Sequence, residues 1–310
     1  MILSEAILAT LAYHDIFEYP LTVDEIHQYL ISRLVSKKKL IGNLLVLVNL
    51  GKIGKKDGYY YLRNKSVLVA TRRRRRGHSE AKLKRAKLFA NILKLIPTLK
   101  LVGISGALAM HNSSQNDDID LVLMTSKGTL WTSRFLANLL LSPFKRNPYG
   151  QKVADKACLN VFIDEKKLRI SPPGLYLAHE VCQMKPLWDR DNIYQKFIKA
   201  NSWVKEFLPS WKPKEMVNGK YQSVFLMNQK GKMVNRKSKK QVHSLFTINY
   251  SLIENFLRSF QLWYMRGKIT TEKIGAHQLF FHPASTGEWV MGEYKKRLKK
   301  LNLTMEHLIV

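Results

Sequence analysis

A chain of 310 residues exceeds one minimal domain and sets an expectation of two or three. Its 45% hydrophobic and 10% aromatic content excludes general disorder, and its two cysteines, Cys158 and Cys182, exclude a disulfide framework. Charge is the outlier: 52 Lys and Arg against 23 Asp and Glu give +29, a balance that favours a polyanionic partner, DNA or RNA. No apolar run approaches the ~20 residues that span a bilayer. The opening "MILSEAILATLAYHD" lacks the basic start of a signal peptide, so the expectation is a cytoplasmic protein with reduced thiols and no membrane partner.

Residues 1–65 read as three helices and a hairpin. Ile7, Leu8 and Leu11 recur at helical spacing. Thr22 and Glu25 form a capping-box signature, and Ser36 can cap a third helix that ends at Gly51. Asp57-Gly58 between two short β-prone runs marks a hairpin turn. This is the layout of a winged helix-turn-helix. Lys37, Lys38 and Lys39 at the start of the third helix, with Lys55 and Lys56 on the hairpin, stand where such a module meets nucleic-acid phosphates. An interaction module with solvated lysines is the alternative. Residues 66–98 follow as a basic connecting helix, in which the five arginines 72–76 point in every direction.

From residue 99 to 208 the pattern alternates strand and helix. Strands are expected over Leu99–Ser105, Ile119–Met124 and Cys158–Asp164, with a short helix over Gly106–His111 and an amphipathic helix after Thr129. Helices are expected over 174–188 and 193–208. A basic, poorly periodic loop or linker spans 209–240, and a helical region spans 241–310. The class is α+β.

The chemistry concentrates in "SGALAMHNSSQNDDIDLVLM". Asp118 and Asp120 flank Ile119 at strand period, so both carboxylates share a face. Two such carboxylates repel unless bridged, and a hard dication, Mg²⁺ or Mn²⁺, bridges them while keeping positions for phosphate oxygens. Upstream, Ser105-Gly106-Ala107 is a glycine turn opening a helix, where free N–H groups can hold a phosphate. His179-Glu180 lacks the second histidine of a zinc-protease helix.

The strand, Gly turn, short helix, loop of about ten residues and Asp-x-Asp together resemble the DNA polymerase β-like nucleotidyltransferase superfamily. The resemblance covers roughly residues 99–165. It implies a central mixed sheet with flanking helices and Mg²⁺-dependent transfer of a nucleoside monophosphate from an NTP to an acceptor hydroxyl. Asp118 and Asp120 would hold metal, Ser105, Gly106 and Ala107 the triphosphate, and Arg134 the developing charge. Two departures stand out. Ala107 occupies a position where the superfamily has Gly or Ser, and Asn160 occupies the natural position of its third acid. Alternation places Asn160, Phe162 and Asp164 on one face, making Asp164 a displaced third acid. The rivals are a catalytically inactive winged-helix regulator of the same fold and an RNA-associated scaffold that acts through charge.

Overall fold

The computed structural model describes residues 2–146, 153–213, 216–217, 220–221, 250–267, 272–281 and 285–304. The N-terminal unit holds α1 (Leu3–Asp15), β1 (Leu21–Thr22), α2 (Val23–Gln28), α3 (Lys37–Asn49) and the hairpin β2 (Ile53–Lys56) and β3 (Tyr59–Leu62). Its antiparallel sheet runs β1-β3-β2. Local chemistry sets these boundaries. The Thr22 hydroxyl accepts from the Glu25 amide at 3.3 Å while the Glu25 carboxylate accepts from the Thr22 amide at 2.9 Å. Ser36 Oγ accepts from the Lys39 amide at 3.3 Å, and the hairpin turns through Asp57 and Gly58 at φ +53° and +80°.

The central sheet is mixed, with order β10-β11-β6-β5-β4-β7; among its described strand pairs, β5 and β6 run parallel and the others antiparallel. The chain enters it from α4 (Val67–Leu93) through β4 (Leu99–Ile104), α5 (Gly106–Ala109), β5 (Ile119–Thr125), α6 (Leu130–Leu140) and β6 (Ala157–Asp164). It continues through α7 (Leu175–Gln183), β7 (Lys185–Asp189), α8 (Ile193–Ala200), α9 (Val204–Phe207) and the short pair β8 (Met216–Val217) and β9 (Lys220–Tyr221). The last elements are α10 (Tyr250–Met265), β10 (Lys273–Ile274), β11 (Gln278–Phe280) and α11 (Ser285–Lys300).

Several expectations change, and the helix expected over 193–208 breaks at 201–203 into α8 and α9. The helix expected over 174–188 stops at Gln183, because Pro186 cannot continue a helix and Lys185–Asp189 pairs with β4 instead. The C-terminal region is not wholly helical: β10 and β11 extend the central sheet beside β6. Most of the 209–240 loop and residues 241–249 of the expected helix lie outside the described residues.

Each sheet face carries its own core. Leu101, Val122, Met124 and Ile163 pack with α7, α8 and α11, whereas Val102, Leu121, Leu123 and Phe162 pack with α4 and α6. The first core continues into the N-terminal unit through Ala9, Ala12, Tyr13 and Tyr29. Helix α1 is therefore buried on nearly every side, as its all-round apolar sequence requires, and the N-terminal unit is fused to the sheet domain rather than tethered to it.

Helix α4 explains the arginine run. Arg72 donates to the Glu25 carboxylate at 2.6 Å and lies 3.9 Å above the Tyr19 ring. Burial opposes the Glu25 charge, yet Arg72, the Thr22 amide and the Tyr19 hydroxyl hold its carboxyl below the usual range. Arg75 reaches Glu18 at 2.5 Å, and Arg73 reaches Asp57 at 3.0 Å. Further along, the inward stripe turns apolar, with Ala86, Phe89, Ala90 and Leu93 in the sheet core.

At the seam, His179 stacks on Tyr13 with centroids 3.9 Å apart, and His14 lies edge-on to it. Burial lowers the His14 pKa from 6.5 to about 4, outweighing the Thr10 carbonyl and Glu25, which raise it. The unfolded chain then takes a proton near pH 6.5 that the folded chain refuses until about pH 4. Stability should fall with pH through that window, by up to about 3 kcal/mol from His14. Urea midpoints at pH 7 and 4.5 should show the loss, and His14→Phe should reduce it.

Candidate functional site

The site grows from the connection between the antiparallel neighbours β4 and β5. Gly106 takes φ +60°, a left-handed conformation that costs an L side chain about 1–2 kcal/mol. A Cβ there would sit 3.2 Å from Asp120 Oδ2, so glycine is also what lets the turn approach the carboxylate. The Ser105 amide donates to the Asp120 carbonyl at 3.2 Å. The Ser105 hydroxyl is buried and has no hydrogen-bond partner among the described residues. A cavity of about 470 Å³ opens beside it, lined by Val122, Val161, Ile163, Tyr176 and Phe280 among others. Burial, then Glu180 and Asp120, raises the Tyr176 hydroxyl pKa, which keeps that phenol protonated.

Asp118 and Asp120 come together as their spacing predicts, and a third side chain joins them. Cys158 lies across from Asp120 in the parallel β5–β6 register. One ligand atom from each of Asp118, Asp120 and Cys158 lies within 4.8 Å of the others, and each residue is half-buried. Arg146 donates to Asp118 Oδ2 at 2.9 Å. Burial, then Asp120 and Asp118, pushes the Cys158 thiol up, so the free thiol is neutral. Neither Cys158 nor Arg146 was legible as a site residue from spacing, since each lies far along the chain from the Asp pair.

Asp164 is not part of this cluster. Beyond Leu121↔Leu159 the register jumps to Val122↔Val161, which leaves Asn160 as the extra residue of a β-bulge. The bulge reverses the phase of β6: Cys158, Val161 and Ile163 share the face of Asp120, and Phe162 and Asp164 take the other. Asp164 pairs with Thr125, five residues along β5 from Asp120, or roughly 17 Å at strand rise. There it accepts from the Gly128 amide at 2.9 Å and the Lys166 amide at 2.8 Å, a local turn-holding role. Arg134 is also elsewhere, on the α6 side of the sheet. It donates to Gln261 at 2.5 Å and packs on Phe281 at 4.8 Å, and burial lowers its pKa to about 10. Ala107 is exposed at the rim of a second cavity, next to Asp117 and Arg75.

The loop before Asp118 is held from α4. Lys82, 2% exposed, donates to the Asp117 carbonyl at 2.7 Å, the Gln115 carbonyl at 3.1 Å and the Asp155 carboxylate at 2.7 Å. Ser79 Oγ accepts from the Ser113 amide at 3.0 Å, and Asp117 accepts from the Ser114 amide at 2.8 Å. Away from this site, Lys37, Lys38, Lys39, Lys55 and Lys56 are all exposed, with Lys37 paired to Asp24. The outward face of α3 beside them carries Ile41, Leu45 and Val46, which offer no hydrogen bonds to base edges.

A scan against protein-family models, a search of curated proteins and a search of solved structures each return no match.

Lys82→Met removes an ammonium that satisfies three oxygens. It should cost about 1–3 kcal/mol of unfolding free energy. Amide exchange across residues 112–118 should rise more than in the β4 and β6 strands, as read by hydrogen-exchange mass spectrometry.

Proposed function

We propose that the chain is a metal-dependent nucleotidyltransferase that moves a nucleoside monophosphate from an NTP to an acceptor hydroxyl. The observation that carries this reading is the convergence of Asp118 and Asp120, with the Gly106 turn against Asp120 and a cavity lined by Ser105 and Val122, which neighbour that turn and Asp120 in the chain. Residues fit for a cation are present: two carboxylates, an orphaned buried hydroxyl at Ser105, and a glycine whose Cβ would crowd Asp120. Asp118 and Asp120 would hold Mg²⁺ or Mn²⁺, which when bound supplies positive charge to the triphosphate. In the transfer, the acceptor hydroxyl gives its proton to solvent and its oxygen bonds to the α-phosphorus while the bond to the pyrophosphate oxygen breaks.

The chain's own residues supply the setting for that step. The Ser105–Ala107 turn brings its hydroxyl and backbone toward the phosphates. Arg146, already beside Asp118, replaces Arg134 as the side chain that neutralises phosphate charge. The largely apolar wall of Val122, Val161, Ile163 and Phe280 suits a base or an apolar part of the acceptor.

A second reading has its own support. The strand position facing Asp120 holds a neutral thiol rather than a carboxylate, so that position offers no acid to take the acceptor's proton. That favours a nucleotide-binding regulator of the same fold. In either reading the N-terminal winged-helix layout and its exposed lysines would contact DNA or RNA through phosphates rather than base edges, given the apolar face of α3.

Calorimetric titration of each NTP with and without Mg²⁺ tests the proposal. Binding should require the metal and weaken at least about tenfold in an Asp118→Asn, Asp120→Asn double variant. Absence of binding to the wild type would overturn it. Binding without pyrophosphate release, across a panel of acceptors, would select the regulator.

A further inference from the structure

Cys158 occupies the third position of the cluster, where a thiol contributes little to a hard cation. Mg²⁺ prefers carboxylate, carbonyl and water oxygens, whereas sulfur selects softer ions. We propose that Cys158 is a third metal ligand and that it tunes the site to a borderline-soft dication, with Zn²⁺ favoured over Mg²⁺. The inference rests on the reading of Asp118 and Asp120 as a cation site, and it does not require nucleotidyl transfer.

The geometry is close to what such an ion needs. Oxygen and sulfur ligands of tetrahedral zinc stand about 3.6 Å apart, given bonds of about 2.1 and 2.3 Å. The candidate ligand atoms lie within 4.8 Å of one another, so closure by about an ångström, within side-chain rotation, assembles them. Three protein ligands leave a fourth position open for water or substrate, the arrangement of catalytic rather than structural zinc sites.

Charge supports the same set. On binding, Cys158 gives its S–H proton to solvent and becomes a thiolate. Two carboxylates and a thiolate then face a dication plus the Arg146 guanidinium, and the group is neutral overall. Without Arg146 it would carry a net negative charge in a half-buried place. The orphaned Ser105 hydroxyl, 5% exposed and next to Asp120 through its backbone, is a second polar group here awaiting a partner.

The register explains why this ligand is a cysteine on β6 at all. Cys158 precedes the bulge and shares the face of Asp120, whereas the acid further along the strand, Asp164, follows the bulge and is turned away.

The test uses the full chain with Co²⁺ and Cd²⁺ as spectroscopic probes and Zn²⁺ and Mg²⁺ by calorimetry. Wild type should show a thiolate-to-metal charge-transfer band with both probes and bind Zn²⁺ at least about 100-fold more tightly than Mg²⁺. Cys158→Ser should lose the band and weaken Zn²⁺ by roughly tenfold or more, with Mg²⁺ affinity unchanged. Cys182→Ala should keep the band, which controls for the other thiol. Cys158→Asp should raise Mg²⁺ affinity. Absence of a band in wild type, or its survival in Cys158→Ser, overturns the proposal. Mg²⁺-dependent NTP binding without a thiolate band would sink this inference and leave the nucleotidyltransferase reading standing. A thiolate band without NTP binding would do the reverse.

Discussion

Two carboxylates at the end of a buried strand must be compensated, and that requirement organises everything around β5. An unpaired charge in such a place costs several kcal/mol. Arg146 answers Asp118 from the segment before β6, and the close turn at Gly106 brings β4 backbone against Asp120. Lys82 reaches in from α4 to fix the loop that delivers both acids. These groups come from three separate stretches of chain besides that of the acids, so the acids draw the sheet, its β4–β5 connection and the basic helix into one arrangement.

Part of the positive charge is structural at close range. Arg72 and Arg75 tie α4 to the N-terminal unit, and Lys65 and Arg297 meet at Asp15, at 2.6 and 2.8 Å, joining α1, the hairpin exit and α11. Lysines on α3 and the hairpin are left facing water, with Lys38 and Lys39 at a helix N-terminus, where the backbone dipole disfavours cations. Exposed basic residues also line α4, at Arg73, Arg74, Arg76, Lys84, Arg85 and Lys87, so the surface a polyanion would meet runs along that helix as well as over the N-terminal unit. Because α1 belongs to both cores, any partner bound there would act on a body continuous with the sheet domain.

How far the sequence carried the reading depended on whether a signal was local. Capping at Thr22 and Ser36, the Asp57-Gly58 turn and the helical spacing of Ile7, Leu8 and Leu11 are short-range, and the structure places each as expected. Asp118 and Asp120 were legible for the same reason, being two residues apart on one strand. Strand β7 was not, because an amphipathic helix runs into it and only pairing with β4 makes Lys185–Asp189 extended. Nor were β10 and β11, short strands that exist because β6 offers an open edge.

The sequence by itself determined an α+β chain with a basic three-helix-and-hairpin start and a carboxylate pair beside a glycine turn. Tertiary structure alone decided what joins that pair. Alternation along β6 pointed to Asp164, but one bulged residue at Asn160 shifts the pleat by a step and exchanges the two faces. It thereby turns Asp164 toward a distant turn, while Cys158, ahead of the bulge, stays in register beside Asp120. A bulge is set by the pairing of two strands, and neither strand's sequence carries a local mark of it.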